Sequence, residues 1–96
     1  MRKIEEKMVL AVRNRKNMTE GNTRVENTAN GAIYVFLHGN MIYEVSPLGV
    51  ASFGLCGWNT PTTRSRLNAL GVGICVKKGV VYHNGKPVDI HSWNRV

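Results

Sequence analysis

The sequence predicts an α+β domain in which a mostly antiparallel sheet of five to six strands packs against two helices. Three observations predict it: apolar residues at helical spacing near the start, two stretches of branched and aromatic residues divided by tight turns, and a short capped segment between those stretches. A chain of 96 residues builds about one hydrophobic core, so we expect a single domain over residues 1–96.

The first predicted element is a helix over residues 2–17. Ile4, Met8, Ala11 and Val12 recur at spacings of three and four, which places them on one face. The charged residues of this segment, Glu5 and Glu6 among them, are expected on its outer surface.

Three cations, Arg13, Arg15 and Lys16, crowd the last turn of this helix. They have two interpretations. Cations at a helix C-terminus complement the negative end of the helix dipole without any ligand. The same residues also form a basic patch that could assist in binding a polyanion.

Residues 18–31 are polar and rich in Asn and Thr, so we expect a loop with at most one short edge strand near residues 24–26. From Ala32 onward the pattern is typical of strands. Residues 32–55 form a predicted three-strand meander, with turns at Gly39-Asn40 and Pro47-Leu48-Gly49.

The second helix is predicted over residues 60–70, between strands three and four of the sheet. Thr60 suits the N-cap, Pro61 the first helical position, and Gly71 the stop after Leu70. The remaining strands are expected within residues 72–90, followed by a tail that Trp93 pins to the body of the domain.

The net charge of the chain indicates the class of partner that it binds. Thirteen Lys and Arg against six Asp and Glu give a net charge of +7, which favours nucleic acid, nucleotides or an acidic host protein as partners. No segment has the length of a membrane span or the pattern of a signal peptide, so we expect no membrane partner. Cys56 and Cys75 belong to no paired motif and are expected to be reduced.

Motifs for catalysis are missing from the sequence. It has no nucleophile elbow, no Walker loop and no paired carboxylates, so we predict a protein that is not an enzyme and needs no cofactor. Its histidines and cysteines lack the close pairs that zinc sites use, so we predict no metal. His38 and His83 precede turns and are expected near the surface.

The start of the second helix is the strongest candidate site. Free amides at a helix N-terminus attract anions, Thr and Ser side chains add hydroxyls, arginine forks suit phosphate, and Trp58 offers a face for stacking. The alternative is an ordinary helix start in which Trp58 anchors the core. The candidate ligand-binding residues are Trp58, Thr60, Thr62, Thr63, Arg64 and Arg66, and helical spacing predicts that both arginines are exposed.

Two blocks of sequence carry a resemblance: Leu37-His38-Gly39-Asn40-x-Ile42, and Gly57-Trp58-x-Thr60-x-Thr62-Thr63-x-Ser65-Arg66-Leu67-Asn68-Ala69-Leu70. The chain resembles a group of small bacteriophage proteins from about residue 4 to residue 83. The resemblance implies a phage origin and a location in the host cytoplasm, and it carries over no activity.

These observations together predict a non-enzymatic, phage-encoded binding protein for an anionic ligand, either nucleic acid or a nucleotide. Countering a host defence system is a hypothesis within this prediction. The alternatives are an inhibitor that contacts a host enzyme or complex, and a virion accessory protein. The strand edges of so small a domain also make it a candidate homo-oligomer.

Overall fold

A computed structural model describes residues 2–96 of the chain. It contains two helices and nine strands. In chain order these are α1 (Lys3–Arg13), β1 (Met18–Glu20), β2 (Thr23–Asn27), β3 (Ile33–Leu37), β4 (Asn40–Val45), β5 (Ala51–Gly54), α2 (Pro61–Ala69), β6 (Ile74–Lys77), β7 (Val80–His83), β8 (Lys86–Pro87) and β9 (Trp93–Arg95). Neither helix within residues 2–96 is long and apolar enough to cross a membrane.

The strands form two antiparallel sheets. The larger sheet has six strands in the order β1-β2-β3-β4-β5-β9, and the smaller has three in the order β6-β7-β8. The fold is α+β, but the predicted arrangement is wrong. The second helix follows the fifth strand rather than lying between strands three and four, and strands β6, β7 and β8 form a separate sheet instead of extending the first.

The predicted arrangement first departs from the structure in residues 18–31, where two strands, β1 and β2, replace the predicted loop with at most one short edge strand. β2 is an internal strand that pairs with β1 on one side and β3 on the other. The side chains of β2 alternate between buried and exposed, since Thr23 and Val25 are buried while Arg24 between them is exposed. The sequence does not show this alternation clearly, because the buried Thr23 is itself polar. Thr23 tolerates burial because its hydroxyl is hydrogen-bonded, as described below.

The C-terminal residues also depart from the prediction, since they form a strand rather than a tail. β9 pairs with β5, with Trp93 opposite Gly54. The Trp93 ring lies so close to Gly54 that a Cβ on this glycine would approach the ring to 2.5 Å. The missing side chain at Gly54 therefore lets Trp93 lie flat on the sheet.

Helix α1 is shorter than the predicted residues 2–17. It ends at Arg13 because Arg15 has a positive φ of 54°, which is incompatible with a continuing right-handed helix. The amide of Lys16 then donates to the carbonyl oxygen of Ala11 at 2.9 Å, which closes the end of the helix.

Both helices pack on one face of the larger sheet. That inner face carries Ile33, Val35 and Leu37, whereas Tyr34 and Phe36 point to the opposite, outer face. The core contains Met8 of α1, Leu67 of α2, and residues of the inner face and adjoining loops: Val25, Ile33, Val35, Leu37, Ile42, Tyr43, Phe53 and Leu55.

One irregularity in the sheet affects the site. The pairing of β3 with β4 shifts between Val35 and Phe36, so that Val35 lies opposite Tyr43 and Phe36 opposite Met41. Ile42 is the extra residue of this bulge, and both Ile42 and Tyr43 are buried. The bulge thus turns one additional apolar side chain toward the inner face.

Candidate functional site

A cavity of about 470 Å³ lies where the β3–β4 hairpin meets the start of α2. Its floor is apolar and its rim carries hydroxyl, amide and imidazole groups. The floor consists of Leu37, Ile42 and Leu55, and the rim of His38, Asn40, Trp58, Thr60, Thr62 and Thr63.

The first turn of α2 positions the three threonines. The Thr63 amide donates to the Thr60 hydroxyl oxygen at 3.2 Å, which confirms Thr60 as the N-cap. The hydroxyls of Thr60 and Thr63 also lie 2.9 Å apart, in hydrogen-bond contact. Thr63 is buried by this arrangement, while Thr62 is partly exposed and lines the cavity.

Trp58 stands at the cavity with 60% of its surface exposed, so the alternative that it anchors the core is wrong. It follows a sharp turn in which Cys56 and Gly57 have φ of 53° and 78°. The Trp58 amide donates to the carbonyl oxygen of Leu55 at 2.9 Å, which ties the tryptophan to the cavity floor. A large aromatic side chain is therefore held in solvent beside an apolar surface.

His38 closes the other side of the rim. It is exposed, as predicted, and has a φ of 52° at the start of the hairpin turn. Its amide donates to the carbonyl oxygen of Asn22 at 2.8 Å, and its Nε2 lies 3.5 Å from the Asn22 side-chain nitrogen. Asn22 thus holds both the backbone and the ring of this histidine.

Arg66 was predicted to be exposed and to bind the ligand, but it is 3% exposed and makes internal contacts instead. Its Nη1 donates to the Glu5 carboxylate at 2.7 Å, and its Nε donates to the Thr23 hydroxyl at 3.0 Å. Its Nη2 donates to the Asn22 side-chain oxygen at 3.3 Å. Arg66 joins α1, β2 and α2 rather than facing a ligand.

Glu5 was expected on the outer surface of the first helix, and that expectation is wrong as well, since this residue is also 3% exposed. Its carboxylate accepts from the Ser65 hydroxyl at 2.6 Å in addition to Arg66. A buried charge is stable only when it is paired and hydrogen-bonded, and this pair meets both conditions.

Arg64 lies on the other flank of the α2 start from the cavity. It borders a shallow depression with Glu5, Ser65 and Asn68, and its guanidinium donates to the side-chain oxygen of Asn59. Trp58 and Arg64 therefore do not line the same cavity. Of the predicted ligand-binding residues, the structure brings Trp58, Thr60, Thr62 and Thr63 together and leaves both arginines out.

The predicted basic patch lies apart from the cavity. Arg13, Arg15 and Lys16 are exposed, and the Arg15 guanidinium donates to the carbonyl oxygen of Gly31 at 3.2 Å. Gly31 precedes β3, whereas the cavity lies at the far end of that strand, beyond Leu37. The patch and the cavity are thus at opposite ends of β3.

Sequence reasoning missed the floor and one side of the rim: Leu37, His38, Asn40, Ile42 and Leu55. A signal for four of these five was available, because they belong to the Leu37–Ile42 block quoted above. The two blocks, separate in the chain, meet at the cavity. Leu55 carried no such signal and is contributed by the segment after β5.

His83 was expected near the surface, but it is 9% exposed and its ring packs edge-on against Phe53 with ring centres 4.8 Å apart.

Cys56 and Cys75 carry free thiols. Within residues 2–96, no three His, Cys, Asp or Glu side chains are grouped so that they could hold a metal ion.

The buried pair makes a prediction about pH. Burial raises the pKa of Glu5, but hydrogen bonds from Ser65 and Arg66 and the Arg66 charge outweigh it and hold that pKa below its ordinary value of 4.5. A depressed pKa in the folded state contributes stability above the unfolded value, and that contribution is lost as pH falls through the folded value.

We therefore expect the wild type to lose more of its free energy of unfolding than Glu5→Gln does between about pH 5 and about pH 3, measured by urea denaturation at each pH. Glu6→Gln, an exposed change on the same helix, is the matched control and should follow the wild type. Equal slopes for Glu5→Gln and the wild type would show that Glu5 is not held ionised by its partners.

The family model described as Kyanoviridae Gp96 protein matches residues 1–94. No curated protein and no solved structure matches the chain.

Proposed function

The chain belongs to the Kyanoviridae Gp96 protein family and is a phage protein, and from this premise we propose that it is a non-enzymatic binding protein that holds a nucleotide in the cavity beside Trp58. The observation that carries the proposal is the exposed Trp58 ring at the edge of a cavity with an apolar floor. The proposed setting is the cytoplasm of the infected host.

The cavity has the features of a small-molecule site. Ligand pockets in proteins have volumes of roughly 300–1,000 Å³, apolar walls and a few polar groups that set the ligand's orientation. This cavity, at about 470 Å³, lies within that range, and it combines an apolar floor and the Trp58 ring with polar side chains on its rim. A planar base would stack against the exposed Trp58 ring and lie above the apolar floor.

The polar rim supports a ligand that combines a base with phosphate. The start of α2 carries the partial positive charge of the helix dipole, and Thr62 lines the cavity there with its hydroxyl group. His38 and Asn40 offer further hydrogen-bond partners on the opposite side. These groups can orient a phosphate and an exocyclic base group at two ends of one molecule.

Charge favours a mononucleotide over a nucleic-acid polymer at this site. No Lys or Arg of the described residues lines the cavity, since Arg66 is buried and Arg64 lies on the other flank of α2. A polymer needs several cations along its backbone, and its affinity falls steeply with salt. Nucleotide binding in this cavity should depend only weakly on salt, because its contacts are mostly stacking and neutral hydrogen bonds.

A binding protein of this kind would act by sequestering its ligand. Within the host cytoplasm, holding a nucleotide signal away from a defence system is the corresponding biological hypothesis. The rival functions, surface inhibition of a host enzyme and a virion accessory role, require no nucleotide in the cavity. Nucleotide binding is therefore the property that separates them.

The test uses the fluorescence of Trp58. A Trp93→Phe variant leaves Trp58 as the sole tryptophan, and we expect AMP or GMP to quench its emission in a saturable way at both low and high salt. Adenosine should bind more weakly than AMP, and inorganic phosphate should not quench. If neither nucleotide changes the emission, the proposed function is wrong and the two rivals take its place.

A further inference from the structure

Neither helix of residues 2–96 packs on the outer face of the six-stranded sheet. Both helices and the core lie against the inner face. The outer face carries aromatic and other large side chains across several strands: Tyr34, Phe36, Met41 and Trp93. Trp93 is 43% exposed although it lies flat over Gly54. A face of this composition is a candidate interaction surface.

The charges on this face indicate what could cover it. Arg24 and Glu26 already form an ion pair at 3.2 Å, and the Arg24 guanidinium also stacks on the Phe36 ring at 4.3 Å. Glu44 and Arg95 are on the same face, and neither belongs to an ion pair within 4.0 Å among the described residues. One negative and one positive charge on the described part of this face therefore remain outside an ion pair.

The strand register places these two charges symmetrically. Ser52 on β5 lies opposite Glu44 on one side and opposite Arg95 on the other. Neighbouring strands are about 4.8 Å apart, so the two charges flank Ser52 at equal distances in one row. A two-fold axis along β5 above Ser52 would place Glu44 of each copy over Arg95 of the other.

The same axis brings apolar groups together. Gly54 is two residues from Ser52 on β5, and the Trp93 ring lies over it. Two copies related by this axis would bring their Trp93 rings together near the centre of the contact. Aromatic side chains at the centre and charges around them are the usual anatomy of a protein interface.

We propose that the part of this outer face formed by β4, β5 and β9 is the contact surface of a homodimer, in which two copies pack these strands face to face about a two-fold axis that runs along β5 above Ser52. A polyanion fits the face poorly, because the two arginines of the face, Arg24 and Arg95, are balanced by Glu26 and Glu44 and leave no excess of positive charge. A second copy supplies the opposite charge to each unpaired residue. This surface is separate from the nucleotide cavity, which lies on the inner side of the sheet.

The test is sedimentation equilibrium of the whole chain from micromolar to millimolar concentration. We expect a monomer–dimer equilibrium in the wild type. Glu44→Arg should weaken dimerisation by tenfold or more, since it places arginines face to face across the axis. Arg95→Glu should do the same, and the double variant Glu44→Arg/Arg95→Glu should restore the dimer because the charges are exchanged.

Glu6→Arg makes the same change of charge on the exposed side of α1 and is the matched control. It should leave dimerisation close to that of the wild type. Trp93→Ala should weaken the dimer without any change of charge. The proposal is overturned if the wild type is monomeric throughout, if Glu44→Arg behaves like Glu6→Arg, or if the double variant dimerises no better than either single one. None of these outcomes bears on nucleotide binding.

Discussion

The Arg66→Met variant is expected to lose about 3 to 5 kcal/mol of its free energy of unfolding, because it leaves the Glu5 carboxylate buried without its cation. Both side chains of this pair are 4% exposed, so water cannot replace the lost partner. A domain of this size is usually stable by about 5 to 15 kcal/mol, so the change removes a large part of the total.

The loss would extend beyond the ion pair. Arg66 also donates to Thr23 and to the Asn22 side chain, which in turn contacts the rim residue His38. Removing the guanidinium leaves the buried Thr23 hydroxyl with one fewer partner and loosens the link between α2 and the β3–β4 turn. We therefore expect the cavity rim to become less ordered in this variant.

The measurement is urea denaturation followed by circular dichroism at neutral pH. Arg64→Met is the matched control, two residues away on α2 and only half-buried, and it should change stability by less than about 1 kcal/mol. A double variant, Glu5→Leu/Arg66→Met, removes both charges and should recover much of the loss. Equal stability of Arg66→Met and Arg64→Met would show that the buried pair does not hold the fold together.

Replacement of Trp58 by alanine is expected to weaken AMP binding by roughly 5- to 150-fold, the range that corresponds to about 1–3 kcal/mol for stacking of one base on an aromatic side chain. Trp58 is 60% exposed and does not support the core, so its replacement would remove the proposed stacking without removing core packing. The variant should therefore melt close to the wild type while binding much less tightly.

Isothermal titration calorimetry with AMP measures this change directly. Trp93→Ala is the control, because it removes the other tryptophan from the outer face of the sheet, away from the cavity. Its affinity for AMP should match that of the wild type. An unchanged affinity of Trp58→Ala for AMP would show that Trp58 does not stack on the base. The main observation that supports a nucleotide site would then be lost.

Local signals were sufficient to predict several elements of the fold. Thr60, Pro61 and Gly71 delimit α2 by capping and φ preferences that act over a few residues, and the structure places the helix at Pro61–Ala69. The meander of β3, β4 and β5 was similarly predicted from turns and branched residues. The order of the strands in the sheets was predicted wrongly, because strand order depends on contacts between distant parts of the chain.

Glu5 and Arg66 illustrate both the failure and a signal that was overlooked. Glu5 is three residues before Met8 on α1, and Arg66 is three residues after Thr63 on α2, so each lies on the buried stripe of its helix. The prediction that both residues are exposed rested on their charge alone. A pair of opposite charges on two apolar stripes is the pattern that predicts a buried ion pair.

Part of the candidate site was predicted from local sequence, and the rest depends on tertiary packing. Trp58, Thr60, Thr62 and Thr63 are adjacent in sequence, and their common location follows from one turn and one helix start. The apolar floor could not be placed beside them from the sequence, because it depends on the β3–β4 bulge and on packing of α2 against β4. Tertiary packing, rather than local pattern, makes this surface a cavity.

The most direct test of nucleotide binding beside Trp58 is a titration of ¹⁵N-labelled wild-type protein with AMP, followed by amide chemical shifts. We predict saturable changes at the cavity rim, in the amides of His38, Asn40 and Thr62 and in the Trp58 indole N–H. Changes confined to the basic residues Arg13, Arg15 and Lys16, or no changes at millimolar AMP, would contradict the account.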